Sequence, residues 1–129
     1  MKRLLFAPLA AIAVAFSACS KDNDKPRSEC FADSFVLTET SRDIDENGKQ
    51  VFLDFDVKNT STKDYAIANG AAVVNLKLIV TTTDGATYET TAPVTITSLS
   101  AGATSSYKTL AKFGTDKTFQ SVTFTKSCQ

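Results

Sequence analysis

The chain contains no histidine and no tryptophan, and its formal net charge is zero. Histidine is the commonest general base and the commonest side-chain metal ligand, so its absence argues against acid–base catalysis. Tryptophan is a favoured aromatic platform for sugars, so its absence weakens a glycan-binding interpretation. The 14 basic and 14 acidic residues balance, which gives no reason to expect a nucleic-acid partner.

What is present is typical of one ordinary globular domain. The chain has 129 residues, of which 43% are hydrophobic, and nine phenylalanines supply bulk for a single core. The three cysteines are an odd number, so at least one must stay outside any internal disulfide.

The N-terminus predicts export. A basic start, Met1-Lys2-Arg3, precedes residues 4–18, which carry no charge. These fifteen residues would rise only about 22 Å as a helix, whereas a bilayer core needs about 20 residues. A basic start, an apolar middle and small residues at the end indicate a signal peptide over residues 1–18.

The residues around Cys19 predict a membrane anchor. The sequence Ser17-Ala18-Cys19 resembles a bacterial lipobox, in which the cysteine is lipidated and becomes the first mature residue. Each buried CH₂ contributes about 0.8 kcal/mol, so several acyl chains hold a protein to a membrane. Residues 19–29 are then the lipidated cysteine and a flexible linker, whose start resembles the acidic export signal of Bacteroidetes surface lipoproteins. The residues of that signal are Lys21, Asp22 and Asp24.

The other two cysteines predict a disulfide. Cys30 opens the folded part and Cys128 is the penultimate residue. An oxidising compartment favours a bridge between them, while a pair of free thiols is the alternative. Cys128 shares the parity of Val122 and Phe124, so we expect it to point inward.

From residue 30 onward the hydrophobic period is two, which predicts strands. The clearest segments are 51–58 and 74–81, each apolar on one face, which favours antiparallel sheets. The Asp84-Gly85 pair predicts a hairpin. The fold class is therefore all-β, an antiparallel β-sandwich over residues 30–129 with about seven strands. The weaker predicted strands are 35–38, 87–91, 94–96, 105–110 and 121–125.

Three segments carry a family resemblance. "VFLDFDVKNTS", "TTTDG" and "LSAGATSSY" occur in the order seen in FxLyD-type and related immunoglobulin-like domains of bacterial envelope proteins. The resemblance covers roughly residues 51–124. It implies an immunoglobulin-like sandwich in an extracytoplasmic setting, and it implies no catalytic residue and no cofactor.

Two loops are candidate sites. Asp43, Asp45 and Asn47 fit the start of a calcium-loop pattern, with Asp54 at its last position, but Asn47-Gly48 also predicts a plain hairpin turn, which we favour. The connection 63–70 holds Tyr65 and Ile67. These two side chains either cover the core, the interpretation we favour, or form a binding loop.

No other pattern indicates catalysis. Asp54 and Asp56 share a strand face but would be solvated, with no cleft to raise the pKa of one of them. We therefore expect a non-catalytic binding or accessory module on the bacterial outer surface, with the periplasmic face as the alternative location. Its partners would be the lipid membrane, through Cys19, and a protein or glycan. A structural domain of an envelope assembly, such as an adhesin or pilus component, is the alternative function.

Overall fold

The computed structural model describes residues 28–129, and this part of the chain is all-β apart from one 3₁₀ turn at Ile67–Asn69. The signal peptide, the linker and the residues Cys19, Lys21, Asp22 and Asp24 lie outside the described residues. No helix in the described part is long and apolar enough to span a membrane. The strands are β1 (Phe35–Asp45), β2 (Gln50–Asn59), β3 (Tyr65–Ala66), β4 (Val74–Thr82), β5 (Thr87–Pro93), β6 (Ser98–Leu99), β7 (Thr104–Lys112) and β8 (Phe119–Cys128).

The strands form two antiparallel sheets of three, which confirms the predicted sandwich architecture. One sheet has the order β1-β2-β7 and the other β5-β4-β8, while β3 and β6 form a small pair. Both central strands are one-sided, as the period of two predicts. Every second residue of β2, from Val51 to Val57, is at most 1% exposed. Leu76, Leu78 and Val80 of β4 are fully buried opposite them.

An aromatic cluster closes one end of this core. Tyr65 packs edge-on against Phe35, with ring centroids 4.9 Å apart, and against Phe31 at 5.4 Å. All three rings are at most 3% exposed. Burial of a large apolar side chain stabilises a fold by roughly 1.5–3 kcal/mol, so this cluster is a substantial part of the core.

The predicted disulfide is confirmed. Cys30 and Cys128 are bonded, with Cα atoms 5.7 Å apart, and the bridge closes a separation of 98 residues. Cys128 is half-buried and packs against the core, as its parity predicts, but Cys30 is exposed. Backbone bonds continue the link between the two ends: Ala72 N–H donates to Glu29 O and Gln129 N–H donates to Val73 O.

The structure differs from the predicted strands in two places. Residues 94–96 are not a strand, although Val94 and Ile96 are buried in the core. Their alternation comes from packing, and within the described part they have no ladder partner beyond the bond from Val94 N–H to Val74 O. β1 runs to Asp45, well past the predicted end at residue 38. The prediction ended too early because a register shift between Glu39 and Ser41 interrupts the alternation of apolar and polar residues.

Candidate binding groove

Within residues 28–129, β7 pairs only with β2, and its other edge, which is free there, is the structural basis of the candidate site. Phe113 N–H donates to Lys49 O and Asn59 N–H donates to Ala103 O, which places odd-numbered residues of β7 in hydrogen-bonded pairs with β2. Antiparallel ladders alternate, so the backbone groups of even-numbered residues point away from β2. Lys108 and Leu110 therefore present their N–H and C=O groups at the edge.

β5 of the other sheet approaches this edge and closes part of it. The Tyr107 hydroxyl donates to Pro93 O at 3.1 Å, while the Tyr107 ring, 3% exposed, stacks on Phe55. Burial raises the pKa of Tyr107, which keeps its hydroxyl a neutral donor. The contact ties together two strands that belong to different sheets.

Next to this contact an open groove of about 420 Å³ lies on the surface. Its walls come from β2, β5, β7 and the segment after β5. Most of its accessible lining is apolar. The lining residues are Phe52, Ala92, Pro93, Thr95, Tyr107, Lys108, Thr109 and Leu110.

Phe52 and Leu110 are large apolar side chains of the groove that stay exposed. They are direct cross-strand partners on β2 and β7, and they are 37% and 36% exposed. Both lie on the outer face because their neighbours Val51 and Ala111 occupy the inner face. A pair of large apolar side chains on an outer sheet face, at the mouth of a groove, is typical of an interaction site.

Charged side chains border the apolar pair. Lys108 and Lys112 lie two residues to either side of Leu110 on the same face of β7. Lys108 forms an ion pair with Asp54, its cross-strand partner. Lys112 is opposite Gln50 and has no ion pair within residues 28–129. Leu110 therefore has a lysine on each side of it along β7: Lys108 lines the groove, and Lys112 lies beyond it.

The structure places the two candidate loop residues in or against the core. Tyr65 is 1% exposed, and burial raises the pKa of its hydroxyl. Ile67 is half-buried and packs on the same core. The Tyr65 side chain is thus not accessible to a partner, which corrects the alternative that assigned it to a binding loop.

Of the calcium-pattern residues, Asp45 and Asn47 form a hydrogen-bonded turn, whereas Asp43 lies within β1 opposite Phe52. Asp45 Oδ1 accepts the N–H groups of Asn47 at 3.1 Å and Gly48 at 2.8 Å. The bond from Gly48 is the main cause that lowers the pKa of Asp45. Asp54 lies opposite Ser41 in the register and pairs with Lys108, away from the turn. Residues 28–129 contain no group of three or more acidic or cysteine side chains placed to hold a metal.

A second polar network joins the loops at the end of the sandwich where the β1–β2 turn lies. Lys117 bonds to Asp84, whose carboxylate also accepts from the Thr82 hydroxyl and Ala86 N–H. These donors, Lys117 first, hold the pKa of Asp84 well below its usual range. Thr82 ends β4, Asp84 and Ala86 lie in the β4–β5 connection, and Lys117 lies in the loop after β7, so the network joins this hairpin to that loop.

Sequence reasoning did not identify the groove, although one signal was available. Phe52 is a large apolar residue on the polar face of the strand 51–58, which it shares with Asp54, Asp56 and Lys58. An apolar residue out of phase with its strand indicates an exposed contact. The approach of β5 to β7, which makes the other wall, has no sequence signal.

The chain matches no protein-family model, no curated protein and no solved structure in the three comparisons made.

Proposed function

We propose that this protein is a non-catalytic binding module, anchored to the outer surface of a bacterial outer membrane through a lipid on Cys19. Its groove holds an extended segment of another protein. The binding proposal rests on one observation: the exposed apolar side chains of Phe52 and Leu110 lie next to the free edge of β7.

An extended peptide fits both parts of this surface. Its backbone can pair with the free N–H and C=O groups of Lys108 and Leu110, which is the mode in which a peptide adds a strand to a sheet. One of its apolar side chains can then lie between Leu110 and the walls formed by Ala92 and Pro93. Main-chain bonds supply affinity in this mode, and the apolar contact supplies selectivity.

The charges predict the neighbours of that apolar residue. Residues i and i+2 of a strand share a face, so a segment paired with β7 places its i−2 and i+2 side chains opposite Lys108 and Lys112. An acidic residue opposite Lys112 would pair with it, and one opposite Lys108 would share that lysine with Asp54. The preferred ligand segment is therefore an apolar residue with Asp or Glu two residues away on each side.

The anchor and the family are part of the same proposal. The lipobox-like sequence ending at Cys19 and the acidic residues after it support a lipoprotein similar to Bacteroidetes surface lipoproteins. The interleaved strand order, in which β7 returns to the first sheet and β8 to the second, supports an immunoglobulin-like domain.

A library of random nine-residue peptides displayed on phage tests the groove. The full chain, purified in detergent, should enrich peptides with the acidic–x–apolar–x–acidic pattern. Leu110→Asp should reduce this enrichment roughly tenfold or more, since it removes the apolar side chain that a bound peptide would bury. Val36→Asp is the matched control, because Val36 is an exposed apolar residue of the same sheet that does not line the groove.

Absence of any enriched pattern, or an equal loss in Leu110→Asp and Val36→Asp, would contradict the peptide-binding proposal. Binding of the same chain to a glycan array, with no peptide enrichment, would assign the groove to sugars instead.

Fractionation of cells tests the anchor. Cys19→Ala should move the protein from the membrane fraction to the soluble fraction, and external protease should remove the wild type from intact cells. Replacement of Lys21, Asp22 and Asp24 together should protect the protein from that protease. A membrane-bound Cys19→Ala chain would refute lipid anchoring, and a triple variant that stays protease-sensitive would refute the export signal.

A structural domain of an envelope assembly is the second candidate function. The observation that favours it is the edge of β8, which has no strand partner other than β4 within residues 28–129. In that case Leu110→Asp would leave the assembly intact, while substitutions on β8 would disrupt it.

A further inference from the structure

The orientation of the β8 backbone follows from one hydrogen bond. Gln129 N–H donates to Val73 O, so odd-numbered residues of β8 are in hydrogen-bonded pairs with β4. By alternation, the backbone groups of Val122, Phe124 and Lys126 point away from β4. Within the described part of the chain, no strand accepts them.

β8 is also the least protected edge of the sandwich. Proteins usually protect edge strands with charges, prolines or bulges. β1 has a register shift and four charged residues, β5 has Glu89 and Pro93, and β7 has two lysines. β8 has one charged residue, Lys126, in ten positions, and its register shift lies near its start, between Phe119 and Ser121.

The charge of Lys126 does not prevent another strand from pairing with β8, because its ammonium group is already hydrogen-bonded within the chain. Its Nζ donates across the open side of the sandwich to Phe35 O. Beside it, Val122 and Phe124 point inward but stay half-buried, and Phe124 packs edge-on against Phe55 at 5.1 Å. The edge therefore has apolar surface that an additional strand would cover.

The ends of β8 define where such a strand can lie. At one end, Phe119 N–H donates to Glu46 Oε1 at 3.3 Å. At the other end, Cys128 is bonded to Cys30. The stretch between these contacts, residues 121–127, has Phe124 at its centre.

We propose that β8 pairs with β8 of a second copy of this chain, antiparallel and centred on Phe124. The two sheets then form one continuous sheet of six strands across a two-fold axis. This inference goes beyond the binding function, because it concerns the β1–β8 side of the sandwich and leaves the groove on the β5–β7 side open.

The residues of β8 fit their own copy in this register. On the outer face, Thr123 meets Thr125 of the partner, and the other outward pairs also join hydroxyl side chains, which form favourable cross-strand contacts. On the inner face, Phe124 meets Phe124 of the partner, and Lys126 meets Val122 of the partner. No like charges are opposed, which is what an isologous two-fold contact requires.

Cysteine cross-linking of the full chain tests both pairing and register. Thr123→Cys and Thr125→Cys chains with different tags are produced together and extracted from membranes. In the proposed register these positions form a non-hydrogen-bonded pair, with Cα atoms about 4.5 Å apart, within the disulfide range of about 4.4–6.8 Å. We expect a mixed dimer on a non-reducing gel from the co-produced chains and none from either variant alone.

Two controls separate pairing from chance collision. Thr87→Cys and Thr91→Cys produced together place exposed cysteines on β5, another edge strand, and should give no dimer. The double variant Thr123→Lys/Thr125→Lys sets like charges opposite each other and should raise the dimer dissociation constant roughly tenfold in sedimentation equilibrium. Thr38→Lys/Ser106→Lys adds the same charge on both sides of Asp56 and should leave it unchanged.

Three results would overturn the proposal. The first is the absence of the mixed dimer, and the second is a band of equal strength from either cysteine variant alone or from the β5 pair. The third is a monomer whose Val122, Phe124 and Lys126 amides resist hydrogen exchange, since another segment would then occupy the edge.

Discussion

The sandwich has two sides where edges of its sheets face each other, and they are closed in different ways. On the β5–β7 side, Tyr107 bonds to Pro93 and an apolar groove opens beside this contact. On the β1–β8 side, the contacts are covalent or involve cations: the Cys30–Cys128 bridge, and the bond from Lys126 Nζ to Phe35 O.

The difference has a physical reason in β1. Its register places Arg42 and Glu39 opposite Leu53 and Phe55, which face the core, so both charged residues lie on the inner side of the sandwich. Arg42 lies over the ring of Phe119, 5.9 Å from its centroid. β1 is therefore protected by inward charges, whereas the facing strand β8 keeps half-buried apolar side chains and the β5–β7 side has the apolar groove.

The largest expected effect comes from the bridge on the β1–β8 side. Replacing Cys30 and Cys128 with Ala should lower the free energy of unfolding by about 2–5 kcal/mol, because the unfolded chain regains the freedom of a long loop. Thermal melts of the full chain with and without reductant measure this change. Equal melting temperatures in the two conditions would show that the bridge does not contribute to the stability of the fold.

The corresponding contact on the β5–β7 side should contribute less. Tyr107→Phe removes the hydroxyl that bonds to Pro93 but keeps the buried ring, so we expect a loss of about 1 kcal/mol in denaturant unfolding. The control is Tyr88→Phe, which changes a half-buried tyrosine on β5. A loss as large as that of the bridge would remove the contrast between the two sides.

Arg42→Gln tests the charged contact of β1. Its pair with Glu39 has two bonds of 2.8 Å, but both side chains are about one-third exposed. Exposed pairs contribute about 0–1 kcal/mol, so the stability change should lie in that range. Glu39→Gln should give a similar value, and a double-mutant cycle with no coupling would show that the pair does not act as a unit.

The smallest effect on stability should appear only in acid, at Asp84, which links the β4–β5 turn to the loop after β7. The folded-state pKa of Asp84 is depressed, so its contribution is complete above the ordinary carboxyl pKa and is lost as pH falls towards the folded-state pKa. The melting temperature should therefore fall less from pH 5 to pH 2 in Asp84→Asn than in the wild type. Parallel curves for both chains would contradict this role.

Local patterns account for the parts of the fold that were predicted correctly. The alternation from Val51 to Val57 and the Asp84-Gly85 turn are determined by neighbouring residues, and the cysteine pairing follows from redox chemistry and position. The false strand at Val94 has the same origin, because alternation reports burial on one side and does not report whether a neighbouring strand is present.

Parts of the structure that depend on distant segments could not be predicted. The β1 extension beyond residue 38 requires the register of β2 and the irregularity between Glu39 and Ser41. The groove requires Pro93 and Tyr107, 14 residues apart, to meet between two sheets. That Tyr65 covers the core was the favoured interpretation, but the packing of Phe31 and Phe35 on its ring had no signal in the sequence.

The sequence by itself therefore determined the strand class, the central strands, the hairpin turn and the disulfide, because each follows from side-chain period, turn chemistry or oxidation. The tertiary structure alone decided which strand edges stay free and which exposed apolar side chains lie at a groove. Both depend on the order of strands in the sheets, which brings β5 beside β7 and leaves β8 without a second neighbour in the described chain. That order is set by packing between distant residues, which no local pattern records.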